Sequence, residues 1–140
     1  MIYVIDVMRQ PKVCKVDLKI PEASNIMRKE RIGSLIVVNE KQEITGLVTE
    51  RDIVYRVLAE GKNPAETTVG EVMTENVSTI RPYATVFDAI SLMRKKQIRK
   101  LPVTKEGKLV GILTEREIIT YILKAKEEAD RLSIFKELFI

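Results

Sequence analysis

Apolar residues fall in the same order twice along this chain. In the first pass Ala23, Ile26 and Met27 share one helical face, with Glu30 at its edge. Ile20-Pro21-Glu22-Ala23 opens that helix, because proline in a first turn gives up no hydrogen bond, and Gly33 is the expected stop. Residues 35–39 and 43–49 read as two strands joined as a hairpin across Glu40-Lys41-Gln42. The unbroken run Leu35-Ile36-Val37-Val38 fits a strand covered on both faces. Residues 50–60 read as a helix with Ile53, Val54, Val57 and Leu58 as its apolar stripe and Gly61 as its stop.

After the turn chemistry of Lys62-Asn63-Pro64-Ala65 the pattern begins again. Val69-Gly70-Glu71-Val72-Met73 echoes residues 3–8. Residues 85–96 form a helix with Val86, Ala89, Ile90 and Met93 inward. Residues 101–104 and 109–114 form a hairpin around Glu106-Gly107, one residue shorter in its turn than the first. The wording repeats as well as the pattern. Met27-Arg28-Lys29-Glu30-Arg31-Ile32 returns as Met93-Arg94-Lys95-Lys96-Gln97-Ile98. Gly46-Leu47-Val48-Thr49-Glu50-Arg51-Asp52 returns as Gly111-Ile112-Leu113-Thr114-Glu115-Arg116-Glu117. A duplicated unit this short predicts an α/β (α+β) fold of two pseudo-symmetric halves sharing a core, with function in the crevices between them. The division is 1–61 for the first unit, 62–68 for a linker, 69–123 for the second unit and 124–140 for a C-terminal helical extension.

Past Glu115 the helical pattern outruns its counterpart. Ile118, Ile122, Ala125, Ala129 and Leu132 are spaced four, three, four and three apart, a seam that drifts little around the helix. Ile134, Phe135, Leu138 and Phe139 add to it. Such a seam must be buried, either on this chain or on a partner subunit.

Composition removes several function classes. The 140 residues contain no histidine and a single cysteine, Cys14. Serine–histidine and cysteine–histidine catalysis, an internal disulfide and a multi-cysteine zinc site are therefore outside its means. No run approaches the ~20 apolar residues of a membrane span, and no signal peptide is evident, so a cytoplasmic location is expected. A net charge of +4 favours anionic ligands without specifying nucleic acid. Charged residues at 31%, with few Asn and Gln, lean towards heat adaptation. The glycines form neither a phosphate-binding loop nor a dinucleotide fingerprint.

What remains is the repeated threonine. Thr49 and Asp52, or Thr114 and Glu117, have the spacing of a helix capping box, in which the hydroxyl accepts an orphan backbone N–H. The same geometry offers a ligand a hydroxyl, a carboxylate and free N–H groups where a strand becomes a helix. A carboxylate there accepts both hydroxyls of a ribose, and Arg51 or Arg116 neutralises a phosphate.

Taken together, Val7-Met8 and Val72-Met73, Ile98-Arg99-Lys100-Leu101-Pro102-Val103 and the runs starting at Gly46 and Gly111 resemble a pair of cystathionine-beta-synthase (CBS) domains, also called a Bateman module, over residues 4–123. The resemblance implies β-α-β-β-α units packed through their sheets and a homodimer. It also implies clefts for an adenosine-containing regulatory ligand (AMP, ADP, ATP or S-adenosylmethionine) with no obligatory cofactor. By it, Thr49 and Asp52 hold ribose in one cleft and Thr114 takes the equivalent place in the other. Val13, Cys14, Thr79 and Ile80 approach the base, and Lys100 and Pro102 line the pocket. Glu117 departs from the usual aspartate, and its extra methylene is expected to push the carboxylate outwards. Gly33-Ser34 replaces the basic pair Arg99-Lys100, so the two pockets are expected to differ, with one occupied.

The implied function is a non-enzymatic, stand-alone regulator that signals by conformational change to an effector protein. Two alternatives remain: an interaction scaffold with empty clefts, and a nucleic-acid-associated regulator using the basic segment 94–100.

Overall fold

The protein is described by a computed structural model that covers the backbone of residues 1–139. The side chains of Ile134, Phe135, Leu138 and Phe139, assigned above to the helical seam, lie outside the described residues.

The first unit runs α1 (Val4–Val7), β1 (Val13–Cys14), α2 (Ile20–Glu30), β2 (Ser34–Val38), β3 (Ile44–Thr49) and α3 (Glu50–Asp52). The second runs α4 (Val69–Val72), α5 (Val86–Lys96), β4 (Lys100–Lys105), β5 (Lys108–Thr114) and α6 (Glu115–Phe139). β1 pairs parallel to β2 and β2 antiparallel to β3, while β4 and β5 form a two-stranded antiparallel sheet. The second unit's opening strand survives only as a parallel bridge between Ile80 and Val103. Pro102 explains the loss. Its counterpart Ile36 donates its N–H to the Lys12 carbonyl at 3.0 Å, and a proline has no N–H to donate.

Alternation along the strands separates three apolar clusters. Leu35, Val37 and Val48 point into the first unit's core, and Leu101, Val103 and Leu113 into the second's. Ile36, Val38 and Ile112 face the other way and meet in a shared layer with Ile44, Leu47 and Leu109. The two sheets therefore pack on each other.

The lead segments cross over. Val4 and Val7 belong to the second unit's core, and Val69 and Val72 to the first's. Val4 donates its N–H to Ala84 O and Val69 donates to Leu18 O, both at 2.8 Å, so the exchange obeys the pseudo-twofold symmetry.

Several sequence expectations need correction. α2 stops not at Gly33 but at Arg31, whose left-handed φ of 55° lets Ile32 N–H reach Met27 O. α5 ends identically at Gln97 (φ 55°), with Ile98 bonded to Met93. Each following isoleucine folds over its own core, which holds the non-glycine residue in place. The helix expected over residues 50–60 is α-helical only at Glu50–Asp52 and continues as a π-helix at Ile53–Leu58. In that wider turn Ile53 and Val57 face the core while Val54 and Leu58, placed in the apolar stripe by spacing, are exposed. Ile90 on α5 is likewise exposed.

α6 is 25 residues long, or roughly 37 Å at ~1.5 Å per residue. It buries Ile118 and leaves Ile122, Ala125, Ala129 and Leu132 exposed, so burial of the seam on this chain fails for those four residues. No described helix is long and apolar enough to cross a membrane.

Candidate functional site

Because Leu35 and Leu101 point into their own cores, the residues before them, Ser34 and Lys100, face the space between the halves. Ser34 pairs with Thr49 across β2–β3, and Lys100 with Thr114 across β4–β5. Four polar side chains thus gather where the shared apolar layer ends and α3 and α6 begin.

Thr49 caps its helix, whereas the Thr114 hydroxyl is taken up by the acid three residues on. Thr49 Oγ1 accepts the Asp52 N–H at 3.1 Å, and Asp52 Oδ2 accepts the Thr49 N–H at 2.9 Å. Glu117 Oε2 accepts the Thr114 N–H at 3.1 Å and also the Thr114 hydroxyl. The extra methylene therefore does not push the Glu117 carboxylate outwards, because the side chain folds back onto Thr114. Its other oxygen pairs with Arg9 Nε at 2.9 Å. Asp52, only 7% exposed, accepts the Thr74 hydroxyl at 3.2 Å and has Arg56 Nε at 3.8 Å. Arg9 and Thr74 occupy equivalent places, each one residue past the methionine of a crossed lead segment. Each acid thus faces a guanidinium, Glu117 at 2.9 Å and Asp52 at 3.8 Å, and Asp52 is held by the Thr74 hydroxyl as well.

The remaining sequence-derived residues divide. Thr114, Glu117 and Lys100 line a cavity of about 230 Å³ with Arg9, Arg31, Ser34, Arg99 and Arg116. Two further cavities, of about 550 and 700 Å³, share Arg31, Ile32 and Arg116 with it, so the three form one groove along the seam. Arg51 instead stacks over the Tyr55 ring, its guanidinium 5.0 Å from the ring centroid. Pro102 is buried on the Lys100 face of β4. Val13 is exposed. Cys14 packs in the first core, where burial pushes its thiol up to about 11, so it carries little thiolate near neutral pH. Thr79 and Ile80 line a separate cavity of about 1050 Å³ with Tyr83, Asp88 and Lys105.

Arg9, Arg31 and Thr74 escaped the sequence analysis as site residues, and Ser34 entered it only as the replacement for a basic residue. Position was the available signal: Arg9 and Thr74 follow the echoed Val-Met pairs, and Ser34 is the counterpart of Lys100.

Burial lowers the Lys100 pKa. Glu50, Asp52 and Glu117 oppose that shift, and Arg9 reinforces it. The unfolded chain therefore binds more protons than the folded one between the lowered value and the usual one. Stability contributed by this group is diminished while it is charged and recovers as pH rises through that window. Lys100→Met should raise the stability of the ligand-free protein at neutral pH and abolish this alkaline gain. Urea midpoints across alkaline pH check it; a parallel pH profile in the variant contradicts it.

The CBS domain family model matches residues 4–59 and 69–124. Protein MK0525 of Methanopyrus kandleri is 42% identical over 106 residues, which covers 73% of this chain and 54% of that protein; the chain thus spans about half the length of this relative. The crystal structure of AcuB from Vibrio cholerae superposes with a TM-score of 0.83 at 26% identity, covering 94% of this chain and 97% of that one. The CBS domain pair of protein MJ0100, solved with 5′-methylthioadenosine and S-adenosyl-L-methionine, superposes with a TM-score of 0.77 at 30% identity, covering 89% and 97%. With two matched domains accounting for most of its residues and a fold shared with solved pairs, the chain belongs to the CBS domain family and carries two CBS domains in tandem.

Proposed function

We propose that this chain is a regulatory module that binds an adenosine-containing ligand between its two CBS domains and passes the resulting change of shape to a partner protein. The observation that carries this is the threonine–acid pair at each strand-to-helix junction, of which Thr114 and Glu117 line a cation-rich cavity. Asp52 and Thr49 hold ribose on one side, Thr114 occupies the matching place on the other, and Lys100 and Arg116 meet the anionic part. The action is binding and not catalysis. A ligand touching both domains favours one relative placement of them, by as much as its affinities for the alternatives differ.

The partner of first resort is a second copy. Val54 and Leu58 on one side are exposed, and so are their repeat equivalents Ile119 and Leu123, which presents a matching apolar pair on each domain.

Calorimetry with AMP, ADP, ATP and S-adenosylmethionine tests the reading. Saturable binding is expected, weakened in Asp52→Ala by roughly tenfold or more, the value of one hydrogen bond to a charged group. Circular dichroism shows whether that variant stays folded. A folded parent protein silent towards the whole panel would sink the proposal and leave the empty scaffold.

A further inference from the structure

Two polar groups at the centre of the inter-domain space lack the partners their burial demands. Ser34 is 4% exposed, and its Oγ has no hydrogen-bond partner among the described residues. A buried hydroxyl left unpaired is costly, and native interiors seldom tolerate it. Lys100, half-buried beside it, enters no ion pair among the described residues. Both line the cavity of about 230 Å³, and strand alternation turns both side chains towards it.

The charges around them have one sign to spare. The cavity is lined by Arg9, Arg31, Arg99, Lys100 and Arg116 against the carboxylates of Glu115 and Glu117. Glu117 is engaged by Arg9 at 2.9 Å and Glu115 by Arg99 at 3.9 Å. Five cations less those two pairs leave Arg31, Lys100 and Arg116 without an ion-pair partner among the described residues. Glu50 approaches from the neighbouring cavity. Its carboxylate lies over Gly33, where an added Cβ would collide with Glu50 Oε1 and sit 3.4 Å from Lys100 Nζ. No ion pair joins Glu50 to the lysine.

We propose that this cavity is a phosphate site in which Ser34 Oγ and Lys100 Nζ donate to the phosphate of a nucleotide, and that the module therefore selects phosphorylated adenosine ligands over uncharged or cationic ones. This rests on the reading of the module as an adenosyl-ligand binder and narrows it. A phosphate supplies several acceptor oxygens at once to a hydroxyl, an ammonium and flanking guanidinium groups. The thioether of 5′-methylthioadenosine leaves the lysine desolvated and the serine unpaired. The sulfonium of S-adenosylmethionine adds a like charge. Ser34 is a specificity residue: it stands where the other repeat has Lys100, so the cavity carries one ammonium at this pair of positions and not two.

The test is calorimetry at fixed low salt on the full chain. The ligands are AMP, ADP, ATP, adenosine, 5′-methylthioadenosine, S-adenosylmethionine and inorganic pyrophosphate. Phosphorylated ligands should bind at least about tenfold tighter than the other adenosyl compounds, the worth of one charge-assisted hydrogen bond. Ser34→Ala and Lys100→Met should each weaken ADP by about tenfold or more and leave adenosine unmoved. Lys100→Met should melt no lower than the parent, which separates lost binding from lost folding. Methylthioadenosine or S-adenosylmethionine binding as tightly as ADP, or ADP affinity untouched by Lys100→Met, overturns the phosphate site and leaves the adenosyl reading standing. Pyrophosphate binding that Lys100→Met weakens, with no adenosyl compound bound, keeps the phosphate site and removes the adenosyl reading. Silence from every ligand overturns both.

Discussion

Deleting residues 2–8 is expected to destabilise the second CBS domain and to leave the first nearly intact, although the deleted residues belong by order to the first. Val4 and Val7 are fully or almost fully buried, and they lie against Val86, Leu101 and Leu113. Burying two such side chains contributes about 1.5–3 kcal/mol each, so their removal costs roughly 3–6 kcal/mol. Backbone bonds go with them: Val4 to Ala84 at 2.8 Å, Ile5 to Pro82 at 2.9 Å and Val86 to Ile2 at 2.9 Å. Each is replaced by solvent on one side only, and α5 loses a flank. Hydrogen exchange read peptide by peptide checks the outcome. Amides of α5, β4 and β5 should lose protection well before those of β2 and β3. Earlier loss in β2 and β3 would show that the lead segments do not cross.

That crossing is the part of the fold hardest to read from residues. The repeat itself was legible, because Met27 to Ile32 and the glycine–threonine runs recur in order. The hairpins followed from their apolar runs. Nothing in Val4, Val7, Val69 or Val72 says which core receives them, since each pair fits either core equally well. Chain order favours the nearer core, and the three-dimensional closure chooses the other. Spacing also overstated what the helices bury. Val54, Leu58 and Ile90 lie within apolar stripes yet stay exposed, because periodicity counts apolar residues without saying what covers them. At the site, the threonine–acid pairs were visible as capping boxes. Thr74 and Arg9, which decide what each acid touches, come from the crossed segments and were invisible for the same reason.

Gly46→Ala is expected to destabilise the protein by about 1–3 kcal/mol, the usual penalty of an overpacked interior, and to cost more than Gly111→Ala. The two glycines are repeat equivalents, each facing the lead segment that has crossed over to it. At Gly111 an added Cβ would stand 2.5 Å from Met8 Sδ and 3.3 Å from the Arg9 carbonyl oxygen. A thioether is flexible and can swing aside, which relieves the worst contact. At Gly46 the same addition meets Met73 Sδ at 2.5 Å and also the Thr74 carbonyl oxygen at 2.9 Å. That oxygen cannot swing. It accepts the Leu47 N–H at 2.9 Å while Thr74 N–H donates to Leu47 O at 2.8 Å, so relief requires the paired backbones to part. Parting them moves the Thr74 hydroxyl, which holds Asp52 at 3.2 Å. Gly46→Ala should therefore lower the urea midpoint and also loosen whatever Asp52 binds, whereas Gly111→Ala should touch mainly stability. Equal midpoints for the two variants would mean that the sulfur contacts, common to both, set the cost and that the backbone approach at Thr74 does not.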